Sequence, residues 1–325
     1  MATLYGQNLR VWTSLGLSDD APDARIIACA TNCTIQYTAD TQDLSHKDIL
    51  NMFNNPAVSG LRCQVTTEAL DVENFSLILR QILNKEPVFI MWDESGGTLN
   101  QTPTGDDWRG SGMAYISDMT LNANNRELAT LSTTFTITGA VRHDDQTQPS
   151  DEDEFINTWG EQIRLVLRKT SVTNAVIAAA LQLSFHVSVS LEDSTTKDTS
   201  TSSGKWVYVE PTSISYDISS TALVRSGETI LSQKGGISMK EAQDMFEMSE
   251  GSHRWGIGYA TGTNNRDVDE IVNGQAIITS LQLNGPNRQR ATYSIQLQGV
   301  GAYSLSSNAS HANASNNSDS VDNGG

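Results

Sequence analysis

Two stretches decide the fold: GMAYISDMTLNANNRELATLSTTFTITG (Gly112–Gly139) and GQAIITSLQLNGPNRQRATYSIQLQGVG (Gly274–Gly301). Aligned without a gap they share eleven identical residues, and in both of them apolar residues recur at alternate positions. This period is typical of a strand with one buried face. Between the alternating runs stand NANN and NGPN, whose Asn, Gly and Pro residues favour a tight turn. Each stretch is therefore predicted to be a β-hairpin, and the chain to contain a duplicated domain.

The duplication extends towards the N-terminal side of each hairpin. GQNLRVW (Gly6–Trp12) matches GEQIRLVL (Gly160–Leu167), and Ile26–Asp48 matches Val176–Asp198. Both matches predict strands. The strand predicted from the second match is unusually long, so we expect it to bend or to contain a bulge. A polar stretch and another half-buried strand follow in each copy. The polar stretches are predicted to be long loops, at about Thr38–Gly60 and Ser190–Pro211, and the strands lie at Leu61–Leu70 and Ile214–Leu223.

One helix is predicted in each copy, followed by a short strand. In DVENFSLILRQILN, Asp71 is a suitable N-cap and the apolar residues have helical spacing. These residues are Phe75, Ile78, Leu79, Ile82 and Leu83. The second copy gives a weaker pattern in SMKEAQDMFEM, with Met239, Ala242 and Phe246 on one side.

The sequence thus predicts a mainly β chain of two tandem homologous β-sandwich or barrel domains, each with one flanking helix. Residues 1–140 are assigned to the first copy and 160–303 to the second, with an acidic linker at 141–159. Residues 304–325 are rich in Ser and Asn, a composition that cannot bury enough apolar surface to offset ordering, and they are expected to be a disordered tail.

Composition narrows the class of function. The 325 residues carry a net charge of −17, which disfavours ordinary binding to phosphate backbones. Three cysteines do not make a disulfide framework, and no signal peptide or membrane-spanning run is found. We therefore expect a soluble protein with no membrane contact that folds in a cytoplasm.

No catalytic or metal-binding pattern stands out. Cys29 and Cys33 lie four residues apart on a predicted strand, where core packing explains them better than a metal or redox site. The five histidines are scattered, and the S-x-x-K matches at Ser194 and Ser202 lie in a Ser/Thr/Lys-rich loop without the motifs that accompany such a site. The chain is expected to be a structural protein, not an enzyme, with no cofactor and no metal.

Several motifs in combination resemble the tail tube proteins of non-contractile bacteriophages. QNLRV (Gln7–Val11) resembles the first strand of that family. TIQYTADTQDLSHKD, repeated as SFHVSVSLEDSTTKD, resembles its long second strand and the acidic loop that follows. In the second copy Gly204-Lys205-Trp206 comes close to the Gly-Trp that usually ends this loop, whereas the first copy has no Trp there. The resemblance covers nearly the whole chain apart from the linker and the tail.

The resemblance implies a ring-forming virion protein whose stacked rings make a tail tube. Chains with two copies would form homotrimers with pseudo-sixfold symmetry, assembled in the host cytoplasm and located in the virion tail. The implied partners are a tape-measure protein, tail terminator and distal tail proteins, and DNA that passes through the lumen without specific binding. An acidic wall with few Lys or Arg residues would repel that DNA.

The resemblance also implies roles for particular residues. The contact loops between subunits or rings would use Asp43, Lys47, Asp48, Asp193, Lys197, Asp198 and Trp206. The hairpins would contribute to the inner wall through Asn122, Asn125, Arg126, Asn284, Asn287 and Arg288. For the two arginines, salt bridges between subunits, caps and plain exposed turn positions remain open.

An alternative from another class is a tandem β-sandwich module that binds a carbohydrate or a receptor, or a baseplate component. It rests on the tryptophans, which can stack on sugars. Trp12, Trp92 and Trp255 lie in predicted strands and are expected in the core, which leaves Trp108 and Trp206 as surface candidates.

Overall fold

A computed structural model describes most of the chain. The described residues are 9–14, 25–26, 30–43, 56–70, 75–94, 109–143, 158–168, 175–177, 180–196, 205–224, 236–237, 239–247, 251–260 and 268–306. None of the helices in this described part is both long and apolar enough to span a bilayer.

The first copy of the repeat forms seven strands and one helix. In chain order these are β1 (Leu9–Ser14), β2 (Arg25–Ile26), β3 (Ala30–Asp43), β4 (Pro56–Ala69), α1 (Phe75–Asn84), β5 (Val88–Glu94), β6 (Arg109–Asn124) and β7 (Thr130–Ile137). The second copy begins with one turn of 3-10 helix at Gly160–Gln162. It continues with β8 (Ile163–Arg168), β9 (Ala175–Ile177), β10 (Ala180–Asp193), β11 (Val209–Leu223), β12 (Gly236–Ile237), α2 (Met239–Glu247), β13 (His253–Ala260), β14 (Val268–Asn284) and β15 (Thr292–Leu305).

The two sets of strands pair in the same order. The first set runs β3-β4-β7-β6-β5-β1-β2 and the second runs β10-β11-β15-β14-β13-β8-β9-β12. All pairs are antiparallel except the short pair of β9 with β12. Strand β10 also pairs with β6, so a single sheet of 15 strands extends through both sets. The chain is therefore mainly β, as the sequence predicts.

The duplicated hairpins are confirmed as β6–β7 and β14–β15. Their turns have the same backbone, because Arg126 and Arg288 adopt left-handed φ values of 66° and 62°. Gly139 and Gly301, which end the two aligned stretches, also match, with φ values of 80° and 71°. The long strands are duplicated in detail as well, since β3 and β10 are irregular at equivalent places, near Asp40 and near Ser190.

Both long hairpins extend further than predicted. Strands β3 and β10 run on to Asp43 and Asp193, and their partners begin at Pro56 and Val209, so the predicted loops at Thr38–Gly60 and Ser190–Pro211 are too long. These outer residues are polar because most of them are exposed on both faces of the hairpin, not because the strand pairing has ended.

The first helix has the predicted buried face, and the second differs. Phe75, Ile78, Leu79 and Ile82 are buried on α1, which confirms the helical spacing. On α2 the buried residues are Ala242 and Met245, whereas Phe246 is 46% exposed. The prediction that Phe246 lies on the buried side was therefore wrong.

One edge of β6 holds two different partners. Residues 109–114 pair with β5 of the same set, whereas residues 118–124 pair with β10 of the other set. A register irregularity between Ile116 and Asp118 separates the two halves. The core behind this junction is continuous, and Phe75 of the first copy and Phe185 and Trp255 of the second belong to one buried cluster.

Candidate functional site

The joint between the two sets of strands is the candidate site, because it is a sheet-to-sheet interface built inside one chain. Residues 182–188 of β10 pair with residues 118–124 of β6 over the whole stretch. Phe185 lies opposite Leu121 and Val187 opposite Met119, and all four side chains are buried. Such cross-strand apolar pairs are the main stabilising units of a sheet.

An Asp–His–Asp cluster lies on the other face of the same joint. His186 Nε2 is 2.7 Å from Asp118 Oδ2 on β6, and its Nδ1 is 2.9 Å from Asp217 Oδ1 on β11. Burial alone would lower the pKa of His186, but the hydrogen bonds and charges of the two carboxylates outweigh burial and raise it. The imidazole of His186 thus links a carboxylate of the first copy to one of the second, and its protonated form is favoured there.

The segment that precedes β11 also crosses to the first copy. The backbone of Leu61 on β4 accepts a hydrogen bond from Val207 and donates one to Lys205, with N–O distances of 3.1 and 2.8 Å. The ring of Trp206 packs edge-on against Tyr37 of β3 at 6.3 Å between centroids. Strand β10 and the segment after it therefore hold different parts of the first copy.

Helix α1 closes the joint from the core side. Its Phe75 packs edge-on against Phe185 of β10, with 5.9 Å between the ring centroids. The hydroxyl of Tyr303 on β15 donates a hydrogen bond of 2.9 Å to the carbonyl oxygen of Leu79. The helix of the first copy is thus packed against strands of the second.

Two strand edges remain open where the repeat predicts a partner. Among the described residues β3 pairs only with β4, although its equivalent β10 has partners on both edges. On the edge of β14 that does not pair with β15, no described residue pairs with the part of the strand after Ala276, although the equivalent part of β6 pairs with β10. Apolar side chains are exposed along both edges, including Tyr37 at 42% and Leu283 at 57%.

The face of the long strands that points away from the core is covered by hydroxyl and amide side chains. Paired residues on this polar face include Gln36 and Gln64, Thr66 and Thr134, Thr120 and His186, Ser184 and Ser219, and Gln282 and Ser294. In β3, β4, β6, β7, β10, β11, β14 and β15 the only Lys or Arg residues are Arg62 and Arg109. Arg62 is paired, with its Nε 2.9 Å from Asp40 Oδ2. The polar face is mostly neutral, with a few carboxylates, and is less acidic than the net charge suggests.

The predicted contact-loop residues fall into two groups. Lys47, Asp48, Lys197 and Asp198 lie outside the described residues. Asp43 and Asp193 are exposed at the ends of β3 and β10. Hydrogen bonds from Thr195, and to a lesser degree the charge of Arg62 at 3.7 Å, lower the pKa of Asp193. Asp193 and Trp206 therefore belong to the joint within the chain, and their role between chains remains a prediction.

The predicted inner-wall residues lie at two levels of the hairpins. Asn122 and Asn284 are on the polar face, where they pair with Ser184 and Thr292. Asn125, Arg126, Asn287 and Arg288 are exposed at the turns. Both arginines have left-handed φ values at these turns, and salt bridges between subunits, caps and plain turn positions remain open for them.

Tryptophans and cysteines are mostly core residues. Trp12, Trp92 and Trp255 are buried, as predicted, and Trp206 is half-buried against Tyr37. Trp108 and Cys29 lie outside the described residues. Burial raises the pKa of the Cys33 thiol to about 11, which favours the protonated thiol over the reactive thiolate at neutral pH.

Sequence reasoning missed the Asp–His–Asp cluster and the open edges. The residue equivalent to His186 is Gln36, and the residue equivalent to Asp118 is Ser280. The cluster is therefore not repeated, and comparison of the two copies does not reveal it. The alternation of apolar residues in β3 and β14 indicates that both strands have a face to bury. Only the strand pairing shows that one edge of each strand is open.

Together these features define a class: a duplicated, mainly antiparallel β protein in which, within the described part of the chain, two strand edges equivalent to those of the internal joint are unpaired. No family model and no curated protein matches the sequence. Among solved structures, the tail of an empty gene transfer agent particle is similar at 20% identity and a TM-score of 0.35, over 45% of this chain and 97% of the other. The virion of a native gene transfer agent is similar at 18% identity and a TM-score of 0.34, over 45% of this chain and 97% of the other. The SPP1 tail tube is similar at 14% identity and a TM-score of 0.31, over 45% of this chain and 78% of the other. TM-scores this low do not establish a shared overall fold.

Proposed function

We propose that the chain is a structural subunit of a virion tail tube, in which copies join head to tail into rings through β3 of one chain and β14 of the next. The observation that carries the proposal is the joint between β6 and β10, since the chain already contains one complete example of such a contact. A strand edge that stays open is liable to aggregate, and ring closure removes it.

The register of the joint between chains follows from the repeat. In the long strands the second copy is offset by 150 residues from the first, and in the hairpins by 162. The pairing of residues 182–188 with 118–124 thus becomes a pairing of residues 32–38 with 280–286 of another chain. In this register Ile35 lies opposite Leu283, and Gln36 lies opposite Gln282.

Burial supports this register. Leu121 is buried at 1% exposure, whereas its equivalent Leu283 is 57% exposed. Val187 is fully buried, whereas its equivalent Tyr37 is 42% exposed. Tyr37 and Leu283 are thus exposed in the single chain at positions whose equivalents the internal joint covers, as expected for a surface that is buried on assembly.

The polar face suits a conduit for DNA around a tape-measure protein. With the core and α1 on one side of the sheet, ring closure leaves the polar face towards the lumen. A wall of hydroxyl and amide groups with few cations gives phosphates little to bind, because affinity for DNA depends largely on Lys and Arg contacts. Three chains would supply six repeats per ring, and stacked rings would contact terminator and distal tail proteins at the tube ends in a virion tail.

The first test is assembly of the purified protein. Negative-stain microscopy should show rings or hollow tubes, and Leu283→Asp should abolish them because it places a carboxylate in an apolar joint. Gln282→Asp adds the same charge on the polar face of the same strand and should still assemble. Circular dichroism should show that both variants are folded. Normal tubes from Leu283→Asp would contradict the proposal.

The second test is the register itself. Gln36→Cys together with Gln282→Cys should form a disulfide between chains, because the equivalent residues His186 and Thr120 lie opposite each other. Gln36→Cys with Leu281→Cys is the matched control, since a shift of one residue moves the side chain to the other face of the strand. Equal cross-linking of both pairs would show that the register is wrong.

A further inference from the structure

The tips of the two hairpins have the same backbone but different surroundings. At the first tip Leu128 is half-buried and Ala129 is buried. At the second tip the equivalent Arg290 is exposed and Ala291 is half-buried. The turn residues Arg126 and Arg288 have nearly equal φ values, so the difference does not come from the fold of the hairpin itself.

The first tip is covered by the segment that opens the second copy. Leu128 pairs with Trp159 in an isolated antiparallel bridge. The Ala129 N–H donates to the carbonyl oxygen of Thr158 at 2.9 Å, and the Gly160 N–H donates to that of Glu127 at 2.8 Å. Thr158–Gly160 thus adds a short piece of strand to the tip.

The contact requires glycine at its end. A Cβ on Gly160 would collide with the backbone of Asn124, which cannot move without disturbing the end of β6. The same glycine stands at Gly6, and both are followed by the matching runs QNLRV and EQIRL. An aromatic residue precedes each glycine, Tyr5 in the first copy and Trp159 in the second.

The second tip has no such cover among the residues that the structure describes. No bridge to Arg290 is found there. The covering segment of the first tip belongs to the repeat that follows the hairpin in the sheet, namely the one that supplies β10. By the same geometry, the cover of the second tip has to come from the repeat that supplies the β3 opposite β14, which belongs to another chain.

We propose that Leu4–Gly6 of the neighbouring chain covers the tip of the second hairpin, with Tyr5 opposite Arg290. This inference rests on the proposed head-to-tail joint and adds to it an exchanged N-terminal segment. In this proposal the segment lies beside Gln289 and Ala291, which are the equivalents of Glu127 and Ala129 at the covered tip. Each chain is thereby held to the next at the tip as well as along the strands.

A disulfide tests the contact directly. Leu128 and Trp159 lie between two backbone hydrogen bonds, which makes them a non-hydrogen-bonded pair with a Cα separation of about 4.5 Å. That spacing suits a disulfide. The double variant Tyr5→Cys, Arg290→Cys should therefore give a ladder of cross-linked chains on denaturing gels after oxidation of assembled tubes. Each single variant should give no ladder, which also measures any background from the natural cysteines.

Leu128→Cys with Trp159→Cys is the positive control, since it should cross-link within one chain in every state. Tubes without the Tyr5–Arg290 ladder, when this control does cross-link, overturn the inference and leave the proposed function standing. A cross-link within single chains in dilute solution also overturns it, because the segment would then cover its own chain. A protein that never assembles overturns both proposals.

Discussion

His186 shows how one substitution makes the two kinds of joint chemically different. Within the chain it lies between Asp118 and Asp217. The equivalent residues are Gln36 and Ser280 on the two open edges and Gln64 on β4. The proposed joint between chains therefore has uncharged hydrogen-bonding side chains where the internal joint has a histidine between two carboxylates. Of the two joints, only the internal one has a histidine at this place.

We expect His186→Gln to remove a pH-dependent contribution to stability. The pKa of His186 is raised in the folded chain, so its contribution is fully present below the unfolded pKa of about 6.5 and is lost as pH rises through the folded value. The cluster is partly exposed, so the effect should be at most about 1 kcal/mol.

Urea unfolding at pH 5.5 and pH 8.5 measures this contribution. The loss of stability in the variant should be larger at pH 5.5 than at pH 8.5. Glutamine is a suitable replacement because the equivalent residue in the first copy is Gln36. A loss that is equal at both pH values, or larger at pH 8.5, would contradict the assignment.

At the level of single residues, alternation and spacing predicted the core well. The buried tryptophans and the apolar face of α1 follow from periodicity alone. The exposure of Phe246 could not be predicted in this way, because the buried side of a helix depends on what packs against it. Helix α1 has Tyr303 of the second copy against it, and the equivalent neighbour of α2 would belong to another chain.

Among the elements, helix α1 holds the two sets of strands together. Leu79 is fully buried and its carbonyl oxygen accepts the hydrogen bond from Tyr303. Leu79→Ala should therefore destabilise the chain by about 2–5 kcal/mol, the range for cavities in a core. Thermal unfolding followed by circular dichroism measures the change.

The matched control is Arg80→Ala, one residue further on the exposed side of the same helix. It should change stability by less than about 0.5 kcal/mol, as is usual for surface sites. Similar losses for both variants would mean that the helix as a whole, and not its packing against the joint, is the weak point.

Element positions were predictable, and element ends were less so. The hairpins were found because duplication repeats both their alternation and their turn residues. The sequence predicts loops at the outer ends of β3 and β10 because the side chains there are polar on both faces. Alternation of apolar and polar residues shows that one face of a strand is buried. It therefore does not detect strands where a hairpin extends beyond the core.

For the whole molecule, the pairing of β10 with β6 was beyond sequence reasoning. Both strands have the right alternation, but nothing in their residues says that they meet each other. The division into two tandem domains thus becomes, in the described chain, two sets of strands that share one sheet and one core. The domain boundaries and the disordered tail remain predictions.

The neutral polar face leads to a prediction about DNA. Ser219 lies on this face beside Ser184 and Gln296. Tubes of the natural protein should leave linear double-stranded DNA free, whereas Ser219→Lys tubes should retain it at low salt and release it as salt is raised. Co-sedimentation with tubes measures the retention.

Gln243→Lys adds the same charge on the exposed side of α2 and serves as the control. It should retain much less DNA than Ser219→Lys if the polar face lines the lumen. Equal retention by both variants would place the polar face elsewhere.

The internal joint also has a kinetic consequence. Its two sides are tethered in one polypeptide, so their effective concentration is set by the linker, on the order of millimolar for a short flexible one, and not by the amount of protein. Half of the contacts in a ring would then form during folding. In the proposed ring of six repeats, three molecules instead of six would have to meet before the ring could close. Nucleation should then depend much less steeply on dilution than it would for separate single-repeat chains.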